Sequence, residues 1–159
     1  MQTKVLMVCL GNICRSPLAE GILKSKTDSQ FVLVDSAGTA GYHIGNNPDQ
    51  RSIAVAKKYG IDISGQRCRK FSYIDFAQFD IIYAMDLSNY NDIMALTNDK
   101  NEIEKVKLLL EEGSSSVKEV PDPYYGGADG FEEVYNLINE ACTVIAEKLN
   151  SKRSSQNAN

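Results

Sequence analysis

Residues Val8 to Glu20 read VCLGNICRSPLAE, with a thiol, Cys9, and a guanidinium, Arg15, at opposite ends of a short loop. Between them stand Leu10, Gly11, Asn12, Ile13 and Cys14. Gly11 and Asn12 tolerate backbone conformations with positive φ. A loop of that kind curls so that consecutive N–H groups point inward and form a nest for an anion. Pro17 suits the first position of a helix and Ser16 its N-cap. The positive end of that helix adds to the same field. Arg15 supplies a planar fork that holds two oxygens of a phosphate at once. These parts bind a dianion.

Cys9 has a bland role available, as a buried apolar filler at a strand end. Its pairing with Arg15 across a Gly/Asn loop points instead to chemistry. A thiol becomes a strong nucleophile when ionised, and a helix N-terminus or a nearby arginine favours the thiolate. Histidine is the usual partner of a catalytic cysteine. The sequence has one, His43, inside the loop GYHIGNNPD. The thiolate therefore rests on backbone N–H groups, Arg15 and the hydroxyl of Ser16, which can also cap the helix. A nucleophile inside a phosphate cradle implies attack on phosphorus and a phosphocysteine intermediate.

The leaving group needs a proton. Asp122, between Pro121 and Pro123 and followed by Gly126 and Gly127, is the candidate donor. The two prolines restrict the backbone on either side of it. Asp beside Pro also shapes turns, and spacing alone does not choose between the two roles. Tyr124 and Tyr125 can stack on an aromatic substrate or cover a sheet edge.

The elements that position these groups alternate between strand and helix. Lys4–Val8, Phe31–Val34, Phe79–Ala84 and Val106–Leu110 read as strands. The second is closed by Asp35, Ser36 and Gly38. Helices are expected from Pro17, over Asp49–Tyr59 with Ile53, Ala54 and Ala56 packing, over Leu87–Leu96, and over Phe131–Leu149. The first of these has Leu18, Ile22 and Leu23 on its apolar face. Asp86 or Ser88 lies near the cap of the third. Such alternation implies an α/β fold, a parallel sheet with helices on both faces. Ligands bind such sheets at the carboxyl ends of strands, where Cys9 falls. The expected domain spans 1–150, with a polar, disordered tail over 151–159. Arg67, Arg69 and Lys70 read as a solvated basic stretch.

Composition narrows the functional classes. The chain has 159 residues, 43% hydrophobic and 24% charged, with 17 basic against 21 acidic side chains, a balance of −4. That balance disfavours nucleic acid as a partner. No apolar run is long enough to span a bilayer, and the N-terminus reads as a strand rather than a signal peptide. Four cysteines in a chain of this size do not make a disulfide scaffold, so reduced thiols and a cytoplasmic location are expected.

Four motifs, CLGNICRS at Cys9–Ser16, DSAGT at Asp35–Thr39, AMDLSN at Ala84–Asn89 and DPYYGG at Asp122–Gly127, stand in an order that resembles the low-molecular-weight protein tyrosine phosphatases. The resemblance covers nearly the whole chain except the tail. It implies a four-stranded parallel sheet in a three-layer, flavodoxin-like arrangement, a phosphoric monoester hydrolase, and no metal or cofactor. Cys9 is then the nucleophile, Arg15 the transition-state clamp and Asp122 the general acid and later base. Leu10, Gly11, Asn12, Ile13, Cys14 and Ser16 complete the phosphate-binding loop, and Ser36 supports its shape. Tyr42, Tyr124 and Tyr125 match the aromatic walls of the substrate cleft. Cys14 matches a second loop cysteine that forms a reversible disulfide with the nucleophile and protects it from overoxidation. The implied partners are phosphotyrosine proteins or aryl phosphates, with inorganic phosphate or another oxyanion in the site, and the implied state is a monomer. Two departures stand out. The family often carries tryptophan or another large side chain where Tyr42 stands, and a histidine where Gln66 stands.

Two enzymes of other specificity use the same loop. A thiol-dependent arsenate reductase needs a resolving cysteine pair, whereas Cys68 and Cys142 are far apart in sequence. Related phosphoarginine phosphatases carry threonine where Ile13 stands, and an aliphatic Ile13 suits a flat aromatic ring better. A non-enzymatic phosphate-binding module would need neither Cys9 nor Asp122. A metal site is disfavoured, because two cysteines and one distant histidine do not supply four ligands.

Overall fold

The computed structural model describes residues 2–124 and 126–157. Its sheet has four parallel strands in the order β2-β1-β3-β4. They are β1 (Thr3–Cys9), β2 (Val32–Gly38), β3 (Ile81–Ala84) and β4 (Val106–Leu108). The chain winds out from β1 in both directions, so the carboxyl end of β1 is the switch point where such sheets bind ligands.

Side chains of β1 alternate between the two faces. Val5, Met7 and Cys9 pack with α1 (Arg15–Lys26) and α6 (Ala128–Asn157), while Leu6 and Val8 pack on Phe71, Phe76 and Ile93. Both faces are thus apolar, as a fully covered parallel sheet requires. Helix α2 (Gln50–Lys58) lies on the first face, α3 (Asp75–Gln78) and α4 (Leu87–Met94) on the second. A short α5 (Lys100–Glu104) precedes β4. The expected α/β fold with a four-stranded parallel sheet is present.

Several boundaries differ from the sequence reading. The expected fourth strand stops at Leu108, and Leu109–Glu112 turns into a 3-10 helix. Helix α2 buries Val55 and Ala56, while Ala54 faces solvent. The final helix does not end at Leu149 but continues to Asn157, so residues 151–157 are helical rather than a disordered tail. Tertiary contact accounts for the extension: the Arg153 guanidinium lies 3.8 Å from the centroid of the Phe31 ring and within 3.8 Å of Asp28. Among the described residues, no helix is long and apolar enough to cross a membrane.

Candidate active site

Strand β1 ends at Cys9 and α1 begins at Arg15, so the intervening loop closes directly over the sheet edge. Helix α1 starts two residues earlier than the position of Pro17 suggests. Its N-cap is Cys14, which makes no side-chain cap bond. Ser16 is therefore not the cap. Pro17 still lies in the first turn, where its missing N–H costs nothing.

The Ser16 hydroxyl turns instead toward the thiol, with Oγ 3.0 Å from Cys9 Sγ. The backbone N–H of Asn12 donates to the same sulfur at 3.2 Å. Asn12 holds φ at +59°, the left-handed region that aims successive amides to one side. Its side chain is fully committed. Nδ2 donates to Ser16 Oγ at 2.8 Å and to Ser36 Oγ at 3.0 Å, and Oδ1 accepts from the Arg69 N–H at 3.0 Å. Because Ser16 Oγ accepts from Asn12, its own proton is left for Cys9 Sγ or for the Ala37 carbonyl at 3.5 Å, and the sulfur is nearer. Ser36 in turn donates to Glu20 Oε1 at 2.7 Å, and Lys24 pairs with Glu20 at 2.6 Å. The chain of bonds runs from a surface ammonium to the buried sulfur with each donor and acceptor matched.

Gly38, at the end of β2, is needed for closeness. A Cβ there would sit 2.7 Å from the Leu10 carbonyl oxygen and 3.0 Å from the Asn12 nitrogen. Thr39 and Ala40 donate to the carbonyls of Cys9 and Leu10, and Asp49 to that of Ile13, so these three loop carbonyls are held by the segment between β2 and α2. The Cys68 thiol donates to the Asn12 carbonyl at 2.8 Å.

Arg15 is 3% exposed. Its Nη1 donates to Asp86 Oδ2 at 2.6 Å and to the Val120 carbonyl at 2.9 Å. Burial works against its charge, but the neighbouring Cys9 sulfur and the Asp86 carboxylate outweigh that and raise its pKa. Asp122 Oδ2 stands 3.9 Å from Arg15 Nη2, with its side chain 43% exposed. Burial, then the charge of Asp49, pushes the Cys14 thiol up to about 12. Burial likewise pushes Cys68 up to about 11, with Cys9 adding to it.

These groups surround a cavity of about 340 Å³ lined by Cys9, Leu10, Gly11, Ile13, Cys14, Arg15, Tyr42, His43, Asp122 and Tyr124. That is the size range of small-molecule sites. Asn12, Ser16 and Ser36 are buried behind the loop. Tyr125 lies outside the described residues. Among the described residues, no group of three or more His, Cys, Asp or Glu side chains is placed to hold a metal ion.

Three residues matter more here than sequence reasoning suggests. Asp86 does cap α4, accepting from the Asn89 N–H, but its other oxygen holds Arg15. His43 reaches the site, its Cδ2 3.2 Å from where a Cβ on Gly11 would stand. Arg69 is not part of a solvated stretch: its guanidinium forks onto Asp75 at 3.0 and 3.1 Å and reaches Asp35 at 3.1 Å, while its amide orients Asn12. The motif order DSAGT held the one local hint, since it sets Asp35 beside the loop-supporting Ser36.

A family model described as low molecular weight phosphotyrosine protein phosphatase matches residues 4–155. The Schizosaccharomyces pombe low molecular weight phosphotyrosine protein phosphatase is 45% identical over 138 residues, covering 83% of this chain and 87% of its own. A crystal structure of a protein tyrosine phosphatase from Entamoeba histolytica with Hepes in its active site superposes with TM-score 0.90 at 36% identity, covering 96% of this chain and 99% of that one. Wzb from Vibrio vulnificus in complex with benzylphosphonate superposes with TM-score 0.83 at 29% identity, covering 93% and 99%. The doubly wound sheet and the thiol loop at its switch point mark an α/β phosphatase. More narrowly, this chain belongs to the low molecular weight phosphotyrosine protein phosphatase family, and it is a protein tyrosine phosphatase.

Proposed function

We propose that the enzyme hydrolyses phosphotyrosine monoesters in two steps through a phosphocysteine. Cys9 attacks phosphorus as the thiolate, the P–O bond to the phenol breaks, and Asp122 gives its proton to the leaving oxygen. Water then attacks the phosphocysteine, Asp122 takes its proton, the P–S bond breaks, and phosphate leaves with the thiolate restored. The amides of Leu10 to Cys14 and the fork of Arg15 stabilise the equatorial oxygens in both transition states. Ser16, Asn12 and Ser36 hold the thiolate and the loop around it. Tyr42 and Tyr124 flank the phenyl ring, with Ile13 beneath it.

One observation carries the reading: Cys9 Sγ accepts from the Asn12 amide at 3.2 Å and lies 3.0 Å from the Ser16 hydroxyl, on the wall of a cavity shared with Arg15 and Asp122. A thiolate so placed has an amide and a hydroxyl donor aimed at it. The benzylphosphonate held by Vibrio vulnificus Wzb, with an aromatic ring one atom away from phosphorus, supports an aryl phosphate monoester as the substrate. Free thiols at Cys9, Cys14, Cys68 and Cys142 are in keeping with a cytoplasmic location.

The test is rapid quenching during turnover of phosphotyrosine peptide, followed by peptide mass spectrometry. A phosphate adduct on Cys9 is expected, absent in Cys9→Ser, which should still bind the peptide. Turnover by Cys9→Ser would remove the nucleophile assignment. Phosphoserine peptide, phosphoarginine peptide and arsenate serve as competing substrates, and faster turnover of any of them would redirect the specificity.

A further inference from the structure

We propose that Arg51 is a positioning residue for the proton transfer: together with Asp49 it ties the loop carrying Asp122 to the phosphate-binding loop, and so fixes where the acid stands over the leaving oxygen. The proposal rests on the assignment of Asp122 as general acid made above.

Asp49 caps α2, accepting from the Arg51 N–H at 2.8 Å, and its own N–H donates to the carbonyl of Ile13 in the phosphate-binding loop at 2.8 Å. One residue further along α2 from Arg51, the Ser52 hydroxyl donates to the carbonyl of Cys14 at 3.3 Å. The start of α2 is thus bonded to two consecutive residues of the cradle. Arg51 reaches the other way. Its Nε and Nη2 fork onto the two oxygens of Asp49 at 3.1 and 3.0 Å. Nη2 also donates to the Tyr124 carbonyl at 2.9 Å, and Nη1 to that of Gly126 at 3.3 Å. The guanidinium carbon lies 4.5 Å from the centroid of the Phe131 ring and 5.6 Å from that of Tyr124.

An exposed ion pair two residues apart in sequence contributes little by itself. This one differs because the same guanidinium continues across 73 and 75 residues of chain to two backbone carbonyls. Those carbonyls belong to Tyr124 and Gly126, a few residues beyond Asp122, where the Tyr124 N–H donates to Asp122 Oδ1 at 3.0 Å and the Gly126 N–H to the Pro123 carbonyl at 2.9 Å. Moving Tyr124 therefore moves the carboxyl. An acid displaced by about 1 Å loses much of its efficiency. Lysine cannot replace the fork: one ammonium has no planar pair of donors for Asp49 and a second face for the carbonyls.

The experiment compares wild type, Arg51→Ala, Arg51→Lys, Asp122→Asn and the double variant Arg51→Ala/Asp122→Asn. kcat/KM is measured on aryl phosphates whose leaving phenols range from strongly to weakly acidic, with competitive inhibition by inorganic phosphate as the check on the cradle. Arg51→Ala should lose about tenfold on phenyl phosphate and about twofold or less on the best leaving group, because proton donation matters most for the poor one. Arg51→Lys should fall between. Inhibition by phosphate should stay within about twofold in both. The double variant should be no worse than Asp122→Asn alone, since Arg51 acts through that carboxyl. Equal loss on every leaving group, a weakened phosphate complex, or losses that multiply in the double variant would overturn the role of Arg51. If Asp122→Asn itself shows no leaving-group dependence, the acid assignment fails first, whatever Arg51 does.

Discussion

Arg15 Nη1 lies 2.6 Å from Asp86 Oδ2, a contact made by residues 71 positions apart, one opening α1 and the other capping α4. The carboxylate and the Val120 carbonyl together occupy one nitrogen of the guanidinium and fix the plane of the fork. Arg15 also lines the cavity. Removing the charge of Asp86 should misorient Arg15 and leave it buried without its counter-ion. Asp86→Ser keeps an oxygen for the Asn89 amide, so helix capping survives. We expect kcat/KM of that variant to fall about ten- to a hundredfold, about 1.4–2.7 kcal/mol of transition-state stabilisation, and its unfolding temperature to fall as well, because the buried guanidinium loses its counter-ion. Wild-type kinetics in Asp86→Ser would show that Arg15 orients itself.

Asn12 offers a second separation of causes. Its φ of +59° favours Asn or Gly, and its side chain makes three of the bonds that hold Ser16, Ser36 and the Arg69 amide in register. Asn12→Gly keeps the backbone freedom and removes the bonds, whereas Asn12→Ala removes both. Both variants should lose activity about tenfold or more through the loosened Ser16 hydroxyl. Asn12→Ala should also be less stable than Asn12→Gly by about 1 kcal/mol. Denaturant unfolding curves measure that difference, and equal stability of the two variants would mean that the left-handed conformation stores no strain.

How legible this site was follows from how far apart its parts lie in the chain. Cys9, Gly11, Asn12 and Arg15 fall within seven consecutive residues, so their types, spacing and strand–loop–helix setting announce an anion cradle. Asp122 stands out as a candidate from its flanking prolines, although spacing alone does not choose its role, and the supporting role of Ser36 becomes visible only when the four motifs are taken together. Asp86 is legible as a cap because capping is local, and opaque as the partner of Arg15 because that pairing is tertiary. Arg69 is the plainest miss. Between Cys68 and Lys70 nothing in the sequence separates a solvated arginine from one clamped between Asp35 and Asp75. The continuation of α6 past Leu149 is opaque for the same reason, since the ring that Arg153 covers belongs to Phe31.

Oxidation tests whether Cys14 resolves an oxidised Cys9. Peroxide should convert Cys9 to its sulfenic acid, and attack by Cys14 would then close a disulfide with loss of water. The attacking species is the thiolate of Cys14, whose pKa burial and the charge of Asp49 push up to about 12. Well below that value the thiolate fraction rises tenfold per pH unit. The yield of Cys9–Cys14 disulfide relative to Cys9 sulfinic acid should therefore climb between pH 7 and pH 9 at fixed peroxide. Peptide mass spectrometry after quenching reads the ratio, and thiol reductant should restore activity only to the disulfide fraction. In Cys14→Ser, recovery should be lost at every pH. A ratio that stays flat with pH would show that Cys14 is not the resolving thiol.

Alkaline stability follows from the same burial. Cys142, packed between α6 and α1 and fully enclosed, has its thiol pushed up to about 12 from an ordinary 9.0, and Cys14 is raised to about the same value. Each thiol holds its proton more tightly folded than unfolded. Their contribution to stability is complete below pH 9, where both states are protonated. It is lost as pH rises from about 9 toward 12, because the unfolded chain ionises first and is drawn off. Well above pH 9 each thiol should cost up to about 1.4 kcal/mol per pH unit. Denaturant unfolding at pH 7, 9 and 10 should show a falling free energy, and Cys142→Ala should be less stable at pH 7 through its cavity yet fall less steeply above pH 9. A Cys142→Ala curve parallel to wild type through pH 10 would place the alkaline loss elsewhere, with the buried hydroxyl of Tyr83, also raised by burial, as the next group to remove.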